Sequence, residues 1–263
     1  MSLLHRPPTI VTMKWGNAYS SHEVNVLFRA VTANTSTRFD FVCMTDNPDG
    51  LDPRVKTRSI PLSGLGRMPD GWMTRGGVWP KVCLFHPELN DEFRQVLFLD
   101  IDMAIVGNID PLLVDPCDDL IMMTGGKRWK RQDERLSPQP NSCILSFQPS
   151  LHVKIFEKFA ADPLATMERY SNDQEFIGNA AGKIDFFPVT WIDSFKYHLR
   201  RYPLVDMFAP PKQPKTSTRI VAFHGFPNPI HVVSDGTRWS RFPRVSWRRP
   251  QWLKEYWERY SAP

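Results

Sequence analysis

Gln95-Val96-Leu97-Phe98-Leu99, followed at once by Asp100-Ile101-Asp102, is the stretch that decides how this chain folds. A short apolar run of this kind fills a central parallel strand covered on both faces. Side chains two apart on an extended strand point the same way, so Asp100 and Asp102 are expected to aim both carboxylates into one site. Ligands of open α/β sheets bind outside the carboxyl ends of the strands, where this pair falls. Two carboxylates a few ångströms apart repel, and in an enclosed site one takes up a proton unless a cation lies between them. A hard divalent ion, Mn²⁺ or Mg²⁺, resolves the conflict, and an oxygen-rich site suits these ions better than zinc. The plainer alternative is an Asp-x-Asp that only caps the following turn; the strand before it favours the metal.

Working outward, Thr9 to Met13 reads as a first strand, and Ser20 to Val31 carries Val24, Leu27, Phe28 and Val31 at helical spacing. Phe39 to Met44 is a second buried strand, closed by the turn formers Asp46, Asn47, Pro48, Asp49 and Gly50. Pro61 to Gly77, rich in Gly and Pro, reads as a mobile loop, and Val78 to Phe85 as a short helix. Further strands are expected at Leu120 to Thr124, Cys143 to Phe147, Ile184 to Val189 and Arg219 to Phe223. Ile109 to Leu113 suggests a turn or short helix, and helices are expected around Val153 to Phe159, over Asn172 to Ala181, and over Pro250 to Tyr260. Strands alternating with helices imply one α/β domain over 1–263, with halves at 1–125 and 126–263.

The 263 residues are 41% hydrophobic and 23% charged, which excludes a disordered or collagen-like chain. No stretch approaches the roughly 20 apolar residues of a membrane-spanning helix, and Met1 to Met13 lacks the regions of a signal peptide, so a cytoplasmic protein is expected. Cys43, Cys83, Cys117 and Cys143 stand far apart and read as free thiols. A net charge of +5 favours anionic partners. It is concentrated in Lys127, Arg128, Lys130 and Arg131, and in Arg238, Arg241, Arg244, Arg248 and Arg249. No nucleic-acid module signature accompanies these clusters, so no nucleic-acid partner is expected. The basic, Trp-rich C-terminus has the composition of an anchor peripheral to the inner face of a membrane, although Trp252, Tyr256, Trp257 and Tyr260 fit a last helix packed on the domain better. Near this end Arg219 to His224 is again an apolar strand that delivers one imidazole, and Gly225-Phe226-Pro227-Asn228-Pro229 is a tight turn able to approach a diphosphate.

Eight segments, in this order, resemble the glycogenin-like (family 8-type) retaining glycosyltransferases and an uncharacterised bacterial group related to them. They are Val11 to Tyr19, Phe41 to Asp46, Trp79 to Val82, Phe98 to Asp102, Asn141 to Ile144, Asn172 to Glu175, Ser194 to His198 and Phe223 to Gly225. The resemblance implies a GT-A (Rossmann-like) nucleotide-sugar-binding domain with a central, mostly parallel sheet. It implies a nucleotide-sugar donor, a UDP-sugar, and an acceptor that is a glycan, a lipid-linked glycan or a protein. It further implies Asp100, Asp102 and His224 as metal ligands, with Thr12, Tyr19, Asp46, Ile101 and Gly225 around the nucleotide. Lys81 corresponds to a lysine that reaches the donor phosphate or sugar, and Asn141 and Asp173 to residues facing the transferred sugar. The family's closing Lys-Pro-Trp is missing, since Asn228-Pro229-Ile230 stands there, so either Arg238 or Lys196 is expected to supply the charge or the donor is held differently.

Overall fold

The structure, a computed structural model, describes residues 6–66, 68–69, 72–73, 78–113, 118–234, 239 and 248–262. Strand β1 (Thr9–Lys14) is buried along its whole length. Helix α1 (Ser21–Ala33) starts where Glu23 accepts the backbone N–H of Ser20 at 2.8 Å, one half of a capping box. Its Val24, Leu27, Phe28 and Val31 face the core, as their spacing requires. Strand β2 (Asp40–Thr45) returns parallel to β1, and β3 (Lys56–Arg58) adds a short polar edge. The expected helix before the acidic pair is a 3₁₀ helix over Trp79–Phe85, all seven residues of it buried.

The remaining strands and α-helices are β4 (Val96–Leu99), β5 (Met103–Ile105), β6 (Leu120–Thr124), α2 (Gly126–Arg131), β7 (Pro140–Phe147), α3 (Pro149–Ala161), α4 (Pro163–Arg169), α5 (Asp173–Ala180), β8 (Ile184–Phe186), β9 (Ile192–Ser194), α6 (Pro203–Asp206), β10 (Ile220–Ala222), α7 (Pro229–Val233) and α8 (Gln251–Ser261). Seven strands form one sheet in the order β3-β2-β1-β4-β7-β6-β8, and β5-β10-β9 form a second, three-stranded sheet. The large sheet is mostly parallel; β7 runs against both β4 and β6. Strand β4 is central, as its composition predicts. Leu97 and Leu99 enter one core with Ile10, Leu27 and Val31, while Val96 and Phe98 enter another with Val11, Phe85 and Phe147.

Close approaches seat two of the helices. A Cβ on Gly178 would lie 2.6 Å from Pro140 Cγ, so only glycine lets α5 settle on β7. On the other face Tyr256 of α8 accepts a hydrogen bond from the Ile105 backbone at 3.2 Å, and Arg29 donates to the carbonyls of Tyr260 and Ser261. Leu253, Tyr256 and Tyr260 are thereby buried, and the aromatic face of α8 belongs to the core. The late strands are shorter than the sequence suggests: Ile184–Phe186 and Ile220–Ala222 alone pair. The described part of Pro61 to Gly77 holds no helix or strand. The rest of that segment, Cys117, Arg238, Arg241 and Arg244 lie outside the described residues. Cys43, Cys83 and Cys143 are free thiols, as expected. Among the described residues no helix is long and apolar enough to cross a membrane.

Candidate active site

A cleft of about 670 Å³ opens where β1 and β4 end, lined by Trp15, Gly16, Tyr19, Met73, Lys81, Asp100, Ile101, Asp102 and Gly225 among others. Its size falls in the range of small-molecule sites. Three of the four chain segments that meet here do so for identifiable reasons. The capping box at Ser20 fixes the start of α1 directly after Tyr19. Asp100 continues the β4–β7 pairing through its backbone N–H to Cys143 O, at 3.0 Å. The chain then turns into β5, which pairs with β10, and Phe223 N donates to Asp102 O at 3.1 Å, so Gly225 arrives beside the acidic pair.

The two carboxylates have different surroundings. Asp100 Oδ2 is 2.8 Å from Lys81 Nζ and is about one-fifth exposed. Asp102 is buried; its Oδ2 accepts from the Tyr19 hydroxyl at 3.2 Å, and its Oδ1 has no hydrogen-bond partner among the described residues. Burial, and then the charge of Asp100, push the Asp102 carboxyl up to about 8, against the opposing pull of Lys81. The same burial and the same carboxylates raise the Tyr19 phenol. Burial opposes the charge of Lys81, but Asp100 and Asp173 outweigh it and hold the ammonium protonated. Asp173 opens α5 after the N-cap Asn172, where the helix dipole favours a negative charge. Burial nevertheless raises its carboxyl, with Lys81 and a 2.6 Å hydrogen bond from Ser142 working the other way.

Of the residues expected at the site, Tyr19, Lys81, Asp100, Ile101, Asp102 and Gly225 line the cleft. Lys81 reaches Asp100 instead of standing free for a ligand. Asp173 lies behind them, buried, and within electrostatic reach of Lys81. Asn141 spends its side-chain oxygen on the Cys143 backbone N–H at 2.9 Å. Asp46 does not line the cleft; it accepts from Gly16 N at 2.9 Å and fixes the first loop, where Gly16 takes a φ of +58°. Thr12 is fully buried within β1, and its hydroxyl has no partner among the described residues.

His224 goes elsewhere. Its Nε2 lies 2.8 Å from Ser194 Oγ at the end of β9, and its ring packs against Trp129 and Tyr197. Burial, then Lys196, Lys130 and His198, lower its pKa to about 4. The expected trio of Asp100, Asp102 and His224 is therefore not assembled: among the described residues no group of three or more His, Cys, Asp and Glu side chains is placed to hold a metal ion. The acidic pair by itself does suit a hard cation, because the orphaned Asp102 Oδ1 is a buried oxygen donor without a partner.

The sequence placed Asn228 in the turn after Gly225 but did not disclose its partner in the site. Its Nδ2 donates to the Tyr19 hydroxyl at 3.3 Å, joining residues 209 apart. The signal available was its place before Pro229, which marks a helix start and says nothing of a partner. The basic, Trp-bearing stretch at 127–131 is no stacking platform: Trp129 is buried, with its indole N–H on Ile192 O at 2.8 Å.

No family model matches the chain, and no curated protein does. Solved structures do. The galactosyltransferase LgtC, in complex with donor and acceptor sugar analogues, is similar over 96% of this chain and 95% of its own, with a TM-score of 0.58 and 13% identity. The apo structure of the bifunctional glycosyltransferase WbbM matches 98% of this chain and 50% of its own, with a TM-score of 0.59 and 10% identity. The glycosyltransferase GlyE of Streptococcus pneumoniae matches 97% of this chain and 60% of its own, with a TM-score of 0.56 and 12% identity. This chain therefore spans about half of WbbM and three-fifths of GlyE. The mixed α/β architecture built around the β1–β4 cleft is the fold of these glycosyltransferases.

Proposed function

We propose that this chain is a metal-dependent glycosyltransferase that moves a sugar from a nucleotide diphosphate donor, a UDP-sugar, to an acceptor with retention of configuration. The observation that carries the reading is the Asp102 oxygen left without a partner beside Asp100, in a nucleotide-sized cleft at the carboxyl ends of parallel strands. The fold of LgtC, whose structure holds donor and acceptor sugar analogues together, supports a site for two substrates.

Asp100 and Asp102 would hold Mn²⁺ or Mg²⁺, which when bound draws off the charge that builds on the leaving diphosphate. His224 could join them through Nε2 by giving up its contact with Ser194, or through Nδ1. Tyr19 orients Asp102 through one hydrogen bond and is itself held by Asn228. Lys81 sets the charge balance between Asp100 and Asp173 and lines the cleft, where its ammonium also attracts the donor. Asp173, kept in place by Ser142 behind the cleft, balances Lys81 and could accept from sugar hydroxyls only by turning outward, and Asn141 orders the β7 backbone.

The test is to incubate the protein with a panel of UDP-sugars and candidate acceptors, with and without Mn²⁺, and to identify the products. Metal-dependent UDP release with the sugar attached to an acceptor supports the reading, and an α-linked product from an α-linked donor supports retention. Free sugar as the only product makes the chain a hydrolase, and no thermal stabilisation by any nucleotide sugar with Mn²⁺ removes the donor site altogether.

A further inference from the structure

The segment 195–216 carries five cations, Lys196, Arg200, Arg201, Lys212 and Lys215, and one acid, Asp206. Around α6 it exposes three large apolar side chains: Tyr202 at 83%, Val205 at 45% and Phe208 at 77%. The backbone there is helical beyond α6 itself, with Asp206 N on Tyr202 O and Ala209 N on Val205 O, both at 2.9 Å. Residues three apart on such a turn share a side, so the three side chains project together. Their exposure is built in. On the inner side Asp206 is fully buried and takes Arg200 Nε at 2.7 Å and the Arg201 backbone N–H at 3.1 Å. The Arg200 guanidinium lies 4.9 Å from the centre of the buried Trp239 ring. The segment's single acid is thus neutralised inside. The cations Arg201 and Lys212 remain on the segment that carries the aromatic tip; Lys212 is exposed, Arg201 is tied to Pro210 O, and Lys215 reaches away to Gln132 Oε1.

We propose that Tyr202, Val205 and Phe208 form an interfacial anchor that seats this protein on an anionic lipid bilayer. Exposed apolar clusters mark interaction surfaces. Two aromatics and one valine supply at most about 500 Å², short of the roughly 800 Å² each partner needs in a stable protein interface. That area suffices for shallow insertion between headgroups when cations add a second attraction, the pairing that reversible membrane binding requires. The bilayer contact moves from the C-terminal helix, whose aromatic face packs inward, to this turn. The inference stands apart from the sugar-transfer reading, because binding to vesicles needs no substrate.

The experiment is co-sedimentation of the whole chain, at low salt, with vesicles of equal parts phosphatidylcholine and phosphatidylglycerol, and with phosphatidylcholine alone. The protein should pellet with the anionic vesicles and stay in solution with the neutral ones. Replacing both aromatics, Tyr202→Ser with Phe208→Ser, should weaken binding roughly ten- to a hundredfold. Arg201→Gln with Lys212→Gln should weaken it about fivefold per charge, and this pair decides the matter if the aromatic variant melts early. Failure of the parent to pellet with anionic vesicles overturns the proposal, as does unchanged pelleting of the charge variant. So does a parent dimer in sedimentation velocity that the aromatic variant converts to monomer, since the patch would then be a contact between copies.

Discussion

Replacing Asp102 by Asn should make the ligand-free protein more stable while removing its response to metal. In the parent, Asp102 holds a buried oxygen without a partner beside a second carboxylate. Asparagine also leaves one polar atom there without a partner, so the gain comes from removing a buried negative charge beside Asp100, on the order of 1–3 kcal/mol. At roughly 2–4 °C per kcal/mol for a chain of this size, the variant should melt about 2–12 °C higher where the parent carboxylate is charged. The sign with pH follows from the raised carboxyl. Between about pH 4, where an unfolded Asp ionises, and about 8, where Asp102 does so in the fold, the folded state keeps a proton that the unfolded state has released. Parent stability therefore falls as pH rises through that window, an asparagine does not titrate, and the gap between the two proteins widens. Differential scanning fluorimetry across this range measures the gap. Repeating it with UDP and Mn²⁺ a hundredfold above the Kd should stabilise the parent by about 2.7 kcal/mol and leave the variant unmoved. Transfer activity should drop on the order of a hundredfold or more. A variant that melts no higher than the parent at alkaline pH, or that keeps the full response to Mn²⁺, refutes the reasoning.

Lys81→Met strands Asp100 and Asp173 without their shared cation and should cost about 3 kcal/mol in urea unfolding, the low end for a broken buried pair because Asp100 is partly exposed; an unchanged midpoint would show that the pair is solvated. Tyr19→Phe removes the hydroxyl that links Asp102 to Asn228, and calorimetry should find UDP and Mn²⁺ bound about fivefold more weakly, with the melting temperature a few degrees lower because Asp102 Oδ2 loses its donor. Equal affinity would make that bridge incidental. Gly178→Ala drives a methyl into Pro140 and should destabilise by about 1–3 kcal/mol, with faster amide exchange at the start of α5; exchange that is unaltered there would mean that α5 does not depend on this contact.

The sequence discloses elements whose side chains repeat. Val96 to Leu99 was legible as an unbroken apolar run, and the buried face of α1 and the helix over Gln251–Ser261 because burial on one face leaves a period. Strand β3, Lys-Thr-Arg on an open edge, leaves none, and β5 and β9 are three residues each, too short for a period to show. The same division runs through the site. Asp100, Ile101 and Asp102 follow a strand whose direction fixes where they point, and they line the cleft. His224 also follows a strand, but its ring was captured by Ser194, which no pattern near residue 224 announces. Asn228 with Tyr19, and Ser142 with Asp173, are side-chain pairings across strands and loops, and only the assembled sheets bring them together.

Because Phe223 bonds the backbone of Asp102, and Gly225 and Asn228 lie just beyond it in the chain, the far wall of the cleft comes from a late portion of the chain. Synthesis proceeds from the N-terminus, so the acidic residues leave the ribosome long before that wall exists. A stalled nascent polypeptide would carry both carboxylates on their strand yet lack the residues that enclose them. Resistance to protease conferred by UDP and Mn²⁺ on ribosome-bound chains of increasing length would then switch on only after Asn228 has emerged from the exit tunnel.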